Sequence, residues 1–260
     1  MNNQKYLIAA NWKQNGDAKT LIRLINDFIR LHKKVKPICD ILILPPAIYL
    51  ETILNRLKHH KISRKKISLG AQNISSYENG AYTGELSVDM TKDYNCNYAL
   101  VGHSERRHVF NEDDKIISKK VRLSIESGMQ TILCVGETIV EYDKKLTKKV
   151  ILRQLKSALV KSVDLFKSDH SKIIIAYEPV WAIGTGKTAS LDDICDIHSY
   201  IHNSLSKILR IKTNSIKILY GGSVNDLNAS SILSLPNVNG ALVGGASLNS
   251  KKFIDICSSI

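Results

Sequence analysis

The chain has 260 residues, 43% of them apolar, enough to bury a substantial core and a length that suits one closed α/β barrel of about 250 residues. Lysine and arginine number 37 against 24 acids, for a formal charge of +13. This raises nucleic acid or an anionic small substrate as partners, but the excess is spread along the chain, and its densest run, Lys58 to Lys66 (KHHKISRKK), has no aromatic on which a base could stack; no nucleic-acid partner is expected.

Export and membrane insertion are not expected either. The polar opening Met1 to Tyr6 lacks a signal peptide's apolar run. The apolar stretch Ile41 to Leu50 is broken by Pro45 and Pro46 and is too short for a bilayer. Cys39, Cys96, Cys134, Cys195 and Cys257 stand singly, which argues for a reducing, cytoplasmic setting with most of them as core fillers.

Eight short apolar runs, many β-branched, follow one another. Tyr6–Ala10 is trailed by Asn11 and Lys13, then by a helical pattern with Leu21, Ile25, Phe28 and His32 on one face. Ile41–Leu44 leads to a face of Ile53 and Leu57, Ile67–Leu69 to Gln72 and Asn73, and Tyr98–Val101 to His103 and Glu105. Thr131–Val135 is followed by Gly136, Glu137 and a helical face of Ile151, Leu155 and Leu159. Ile173–Tyr177 leads to Glu178 and a face of Ile194, Ile197, Ile201, Leu205 and Ile208. Ile216–Tyr220 precedes Gly221, Gly222 and Ser223, and Gly240–Val243 precedes Gly244 and Gly245.

Several runs are continuously apolar, as parallel strands buried on both faces require. Strand and helix alternating to a count of eight, with no linker, predicts an α/β fold: a closed (β/α)₈ barrel, residues 1–260 forming a single catalytic domain. An open doubly wound sheet is the structural alternative, though it usually needs fewer strands. The polar and glycine residues after the strands would share one rim, where barrel enzymes place their sites. That favours an enzyme over a scaffold.

Glu178 lies in AYEPVWAIGTGKTA (Ala176–Ala189). It reads either as a solvated loop glutamate or as a carboxylate held at the rim. The apolar Val180, Trp181 and Ile183 and the run Gly184–Thr185–Gly186 after it suggest a lid. WAIGTGKT lacks the first glycine of a phosphate-cradling P-loop, and GTGKTA stands too far from its strand for a dinucleotide fold.

In VGHSERRHVF (Val101–Phe110), Ser104 can cap a helix that begins at Glu105. His103 would then face a partial positive charge that opposes protonation and leaves a neutral hydrogen-bond donor; a histidine held by its neighbours is the plainer reading. The glycines after the seventh and eighth strands let backbone N–H groups approach a phosphate. His198 and His202 have the i, i+4 spacing of a zinc pair, but no glutamate follows His198 and no third ligand is evident, so no metal and no cofactor are expected. His59–His60 reads as exposed.

AANWKQN (Ala9–Asn15), ALVGHSERRHVF (Ala99–Phe110), AYEPVWAIGTGKTA, YGGSV (Tyr220–Val224) and GALVGGASL (Gly240–Leu248) together resemble, in order and across nearly the whole chain, the signature segments of triosephosphate isomerase. The resemblance implies a TIM barrel that interconverts dihydroxyacetone phosphate and D-glyceraldehyde 3-phosphate in glycolysis and gluconeogenesis, with no cofactor. It implies Glu178 as base, His103 as neutral electrophile, Lys13 as charge stabiliser, Asn11 as orienting residue and Glu105 as support. Asn11, Lys13 and the backbone of Gly184, Ser223, Gly244 and Gly245 would bind substrate and its phosphate. Ile183 and Leu242 would press on the base, and Tyr220 with Ala189 would latch the lid. A homodimer is implied, with the polar segment Asn73–Glu85 reaching a partner near Thr83. Gln14 departs from the methionine usual at that interface, and TIVEYDKKL after Glu137 lacks the usual arginine-glutamate pair. A barrel enzyme acting on another phosphorylated sugar is the alternative.

Overall fold

The eight apolar runs become eight parallel strands in the computed structural model, which describes residues 6–63, 66–166, 169–183, 188–210 and 215–260. They are β1 Leu7–Asn11, β2 Asp40–Leu44, β3 Ile67–Ala71, β4 Cys96–Val101, β5 Gln130–Val135, β6 Ile173–Tyr177, β7 Lys217–Tyr220 and β8 Gly240–Val243. Each lies beside its neighbour in sequence, and β1 pairs with β8, so the sheet closes into a barrel. The closing seam is tight. A side chain on Gly240 (φ 148°) would put its Cβ 1.9 Å from the Leu7 carbonyl oxygen, so only glycine lets the first and last strands meet there.

The described helices are α1 Ala18–Val35, α2 Leu50–His59, α3 Val88–Asp93, α4 Ser104–His108, α5 Asp114–Glu126, α6 Ile139–Asp143, α7 Thr147–Leu159, α8 Leu191–Leu209, α9 Ala229–Leu233 and α10 Ser250–Cys257. The faces expected on α1, α2, α7 and α8 are buried, with Ile208 packed at the core's edge. α6 forms where the arginine-glutamate pair is missing, because Thr138 and Glu141 close a reciprocal capping box. No described helix is long and apolar enough to cross a membrane.

Alternation along the strands splits the core in two. Leu7, Ala9, Leu42, Leu44, Leu100, Ile132, Cys134, Ile174, Ala176, Leu219 and Leu242 fill the barrel interior. Their neighbours, such as Ile8, Ile41, Ile43, Leu133 and Ile175, face the helices. Each buried Leu or Ile contributes about 1.5–3 kcal/mol, so the period-two register is strongly held and aims every residue just beyond it.

Candidate active site

Carrying the inward parity past the strand ends generates the site. On β1, Leu7 and Ala9 are followed by Asn11, which is 4% exposed; on β6, Ile174 and Ala176 are followed by Glu178, which is 2% exposed. The equivalent positions after β5, β7 and β8 are Gly136, Gly221 and Gly244. Two of these glycines make room for Glu178, one for its backbone and one for its side chain. A Cβ on Gly136 would lie 1.7 Å from the Glu178 carbonyl oxygen, and one on Gly221 would lie 2.9 Å from Glu178 Cγ.

Glu178 is held on both carboxylate oxygens. The Ser104 backbone N–H donates to Oε2 at 2.9 Å, and Oε1 lies 3.0 Å from His103 Nε2. The Cys134 thiol lies beneath, and burial, followed by the Glu178 charge, pushes its pKa well up, so it stays protonated. The capping differs from the expectation. The helix begins one residue earlier, at Ser104, and its cap is His103, whose Nδ1 accepts from the Glu105 N–H at 3.2 Å. The physical reason is economy of donors: the ring satisfies the Glu105 amide, which releases the Ser104 amide for Glu178. An accepting Nδ1 leaves the proton of the neutral ring on Nε2, directed into the site.

Lys13 follows the β1 strand in a left-handed conformation (φ 52°), with its N–H donating to Asn11 Oδ1 at 3.0 Å. Gln72 Nε2 donates to the Lys13 and Leu44 carbonyls, fixing the turn. Lys13 Nζ lies 2.6 Å from Glu105 Oε1, and the other oxygen of Glu105 is 3.5 Å from His103 Nδ1. Glu105 therefore links the two from outside the cavity, holding Lys13 with its carboxylate and His103 with its backbone N–H.

These groups open on a cavity of about 450 Å³, lined by Asn11, Lys13, His103 and Glu178 on one side. Ser223, Gly244 and Gly245 stand on the other, with Ile183 and Leu242 also in the wall. Gly245 opens a short 3₁₀ turn, Gly245–Leu248, and a Cβ there would meet nothing within 4 Å, so its backbone faces open space. Gly184 lies outside the described residues, as do Thr185, Gly186 and Lys187.

The described residues that follow Glu178 are anchored in the protein. Val180–Ala182 forms a 3₁₀ turn, and the Ser223 hydroxyl donates to the Ala182 carbonyl at 2.6 Å. Trp181 Nε1 and the Tyr177 hydroxyl donate to Glu137 Oε1 at 2.9 and 3.2 Å, and Trp181 packs on Tyr142 with ring centroids 4.6 Å apart. Burial holds the fully enclosed Glu137 carboxyl above its usual pKa. Tyr220 is buried near Ala189; burial pushes its hydroxyl up to about 12, and the Ala189 backbone acts in the opposite direction.

Sequence reasoning gave no role to Glu137, nor to Asn225, Asn249 and Lys252, which also line the cavity. A signal existed for the last pair. Asn249 caps α10, accepting from the Lys251 and Lys252 amides at 3.0 Å each, and an asparagine before a helical apolar pattern is a readable start. The i, i+4 histidines separate instead of pairing. His198 is fully buried with Nδ1 3.0 Å from the Asn237 carbonyl, while His202 is half-buried. Of the adjacent pair, His59 is exposed but His60 is half-buried.

The triosephosphate isomerase family model matches residues 6–260. A triosephosphate isomerase from Lawsonia intracellularis is 44% identical over 252 residues, 97% of each chain. One from Hahella chejuensis is 43% identical over 253 residues, again 97% of each, and one from Marinobacter nauticus is 40% identical over 256 residues, 98% of each. With this geometry and matches that run the length of the barrel, the chain belongs to the triosephosphate isomerase family.

Proposed function

We propose that residues 1–260 act as one catalytic domain that interconverts dihydroxyacetone phosphate and D-glyceraldehyde 3-phosphate. The observation that carries the residue assignment is the convergence of Glu178, the His103 Nε2–H and Lys13 on one cavity whose opposite wall is glycine backbone. A carboxylate base beside a neutral histidine is the established division of labour in this family; the assignment to these positions is our reading.

With the phosphate on the Ser223, Gly244 and Gly245 backbone, the two substrate oxygens face His103 and Lys13. Glu178 leaves the Ser104 amide and takes a proton from the carbon beside the carbonyl. That C–H pair becomes the carbon–carbon double bond, and the carbonyl pair moves onto oxygen, where His103 and Lys13 stabilise the enediolate. His103 gives its Nε2 proton to the former carbonyl oxygen and takes the hydroxyl proton of the adjacent oxygen. Glu178 then returns its proton to the former carbonyl carbon, the double-bond pair forming that C–H bond while the pair on the adjacent oxygen closes the new carbonyl. Preorganised donors of this kind contribute about 10²–10³ in rate each. Asn11 holds the Lys13 backbone, Glu105 steadies Lys13 and His103, and Lys252 adds positive charge on the phosphate side of the cavity.

A coupled assay with glyceraldehyde 3-phosphate, with no metal or nucleotide added, tests the activity. Glu178→Gln tests the base: kcat should fall by about 10²–10⁴ while a phosphate analogue still binds. A variant that kept more than about a tenth of the activity would remove Glu178 from that role.

The chain acts as a homodimer in the cytoplasm on this reading. Ile48, Tyr77, Tyr82, Met90, Val109 and Phe110 are all exposed, on or beside the segments that follow β2, β3 and β4. Adjacent strands place those segments side by side, and such a grouping of large apolar side chains marks an interface. The exposed Gln14 and Thr83 belong to the same rim. Sedimentation at micromolar concentration should show a dimer, and a fully active monomer would refute it.

A further inference from the structure

Folding gathers the positive charge that looks dispersed along the chain. Residues 30–36 contain Arg30, Lys33, Lys34 and Lys36, residues 56–61 contain Arg56, Lys58 and Lys61, and neither stretch contains an acid. α1 and α2 pack side by side, and their C-terminal halves run toward the starts of β2 and β3, at the end of the barrel away from the catalytic rim. A helix end carries roughly half a charge, which one or two cations satisfy. The cations here far exceed that.

Between the two helices lies a groove of about 540 Å³. Arg30, Lys33, Arg56, His59 and His60 line it, and among its described residues Asp27 is the one acid, already engaged by Arg30 at 3.3 Å. Asn26 lines it too, with a buried Oδ1 that has no hydrogen-bond partner in the chain; turned over, the same amide offers its NH₂. The His59 and His60 rings meet edge to face at 5.1 Å. Burial, then the charges of His59, Lys33 and Arg56, hold His60 below its usual pKa. Like charges concentrated in this way repel one another, and a bound anion relieves the repulsion.

We infer that this groove is a second anion site, taking a small, multiply phosphorylated molecule on Arg30, Lys33 and Arg56 with His59 and His60 as further donors. The number of donors exceeds what one phosphate can use, and the volume is that of a small-ligand pocket. The imidazoles aside, no aromatic ring lines the groove on which a nucleic-acid base could stack, which argues against single-stranded RNA.

Calorimetry with tripolyphosphate, at physiological ionic strength and with the catalytic cavity filled by glycerol 3-phosphate, tests the inference. We expect one further equivalent bound per chain. Lys33→Ala with Arg56→Ala should weaken it roughly tenfold or more, with isomerase activity and circular dichroism unchanged because both side chains lie outside the core. Lys149→Ala with Lys156→Ala, which removes the same charge from α7, should leave the affinity nearly intact. No binding beside glycerol 3-phosphate, or equal losses in the two double variants, would overturn the site. Tighter binding of a short single-stranded RNA than of tripolyphosphate, lost with Lys33 and Arg56, would overturn the small-ligand assignment.

Discussion

Glu178 sits between two small residues and two donors, and its reactivity depends on both. Gly221→Ala tests the steric side. The new Cβ would stand 2.9 Å from Glu178 Cγ and 3.2 Å from the Tyr177 carbonyl oxygen, so the carboxylate must move, while the backbone proposed to hold the phosphate is not touched. We expect kcat to fall about ten- to a hundredfold, roughly 1.4–2.7 kcal/mol of barrier, with KM little changed. A variant with normal kcat would show that this contact does not position the proposed base. Glu178 was ambiguous as an isolated loop glutamate. It becomes legible when the inward parity of Ile174 and Ala176 is carried one step further. The capping of α4 was not legible in the same way, because serine is the commoner cap and nothing local reveals that His103 turns its Nδ1 onto the Glu105 amide.

At the scale of elements, the segments after β3 and β4 are tied together by a buried cluster. Lys120 Nζ on α5 lies 2.6 Å from Glu112 Oε1 and 2.8 Å from Asn73 Oδ1, and Arg106 Nη2 reaches the same Glu112 oxygen at 2.6 Å. Burial holds the Lys120 pKa down despite Glu112. Lys120→Met would leave Glu112 to Arg106 alone and release Asn73. The expected loss is about 3 kcal/mol, the lower end for breaking a buried pair because one cation remains. Urea unfolding measures it, and a loss below about 1 kcal/mol would show the cluster to be dispensable. The loop after β6 was legible as an apolar segment containing glycines, but its anchor Glu137 was not. The donors that identify it, Tyr177 and Trp181, come from the next strand and the loop beyond, and only the β5–β6 pairing brings them together.

For the molecule as a whole, acid stability should be governed by buried histidines. Burial lowers the His198 pKa from 6.5 to about 4, with the ring enclosed near Tyr177 and Tyr220. Above 6.5 folded and unfolded chains both hold it neutral. Between 6.5 and about 4 the unfolded chain takes up a proton that the folded chain does not, so stability falls as pH drops through that window, by about 3 kcal/mol in all. His32, also buried, shifts in the same direction. His198→Gln should flatten the fall in melting temperature from pH 6.5 to 4, and an unchanged slope would assign the acid sensitivity elsewhere. The barrel itself was readable because, the β1–β8 closure apart, its eight strands pair with their sequence neighbours, and the expected strand ends differ from those found by no more than two residues. The basic groove was not, since charge summed along a chain does not show which helices lie side by side.

The seam between β1 and β8 has a further consequence, for biosynthesis. Asn11 and Lys13 emerge from the ribosome early and Gly244 and Gly245 late, yet they line one cavity. Until the register Leu7↔Gly240 to Ala10↔Val243 forms, the nascent sheet has two open edges, β1 and β7, with hydrogen-bonding groups free to pair with other chains. Catalytic competence and protection from edge-to-edge aggregation therefore arrive in one event, once β8 has been made. A chain stopped before Gly240 gains neither, however well its first seven strands are made.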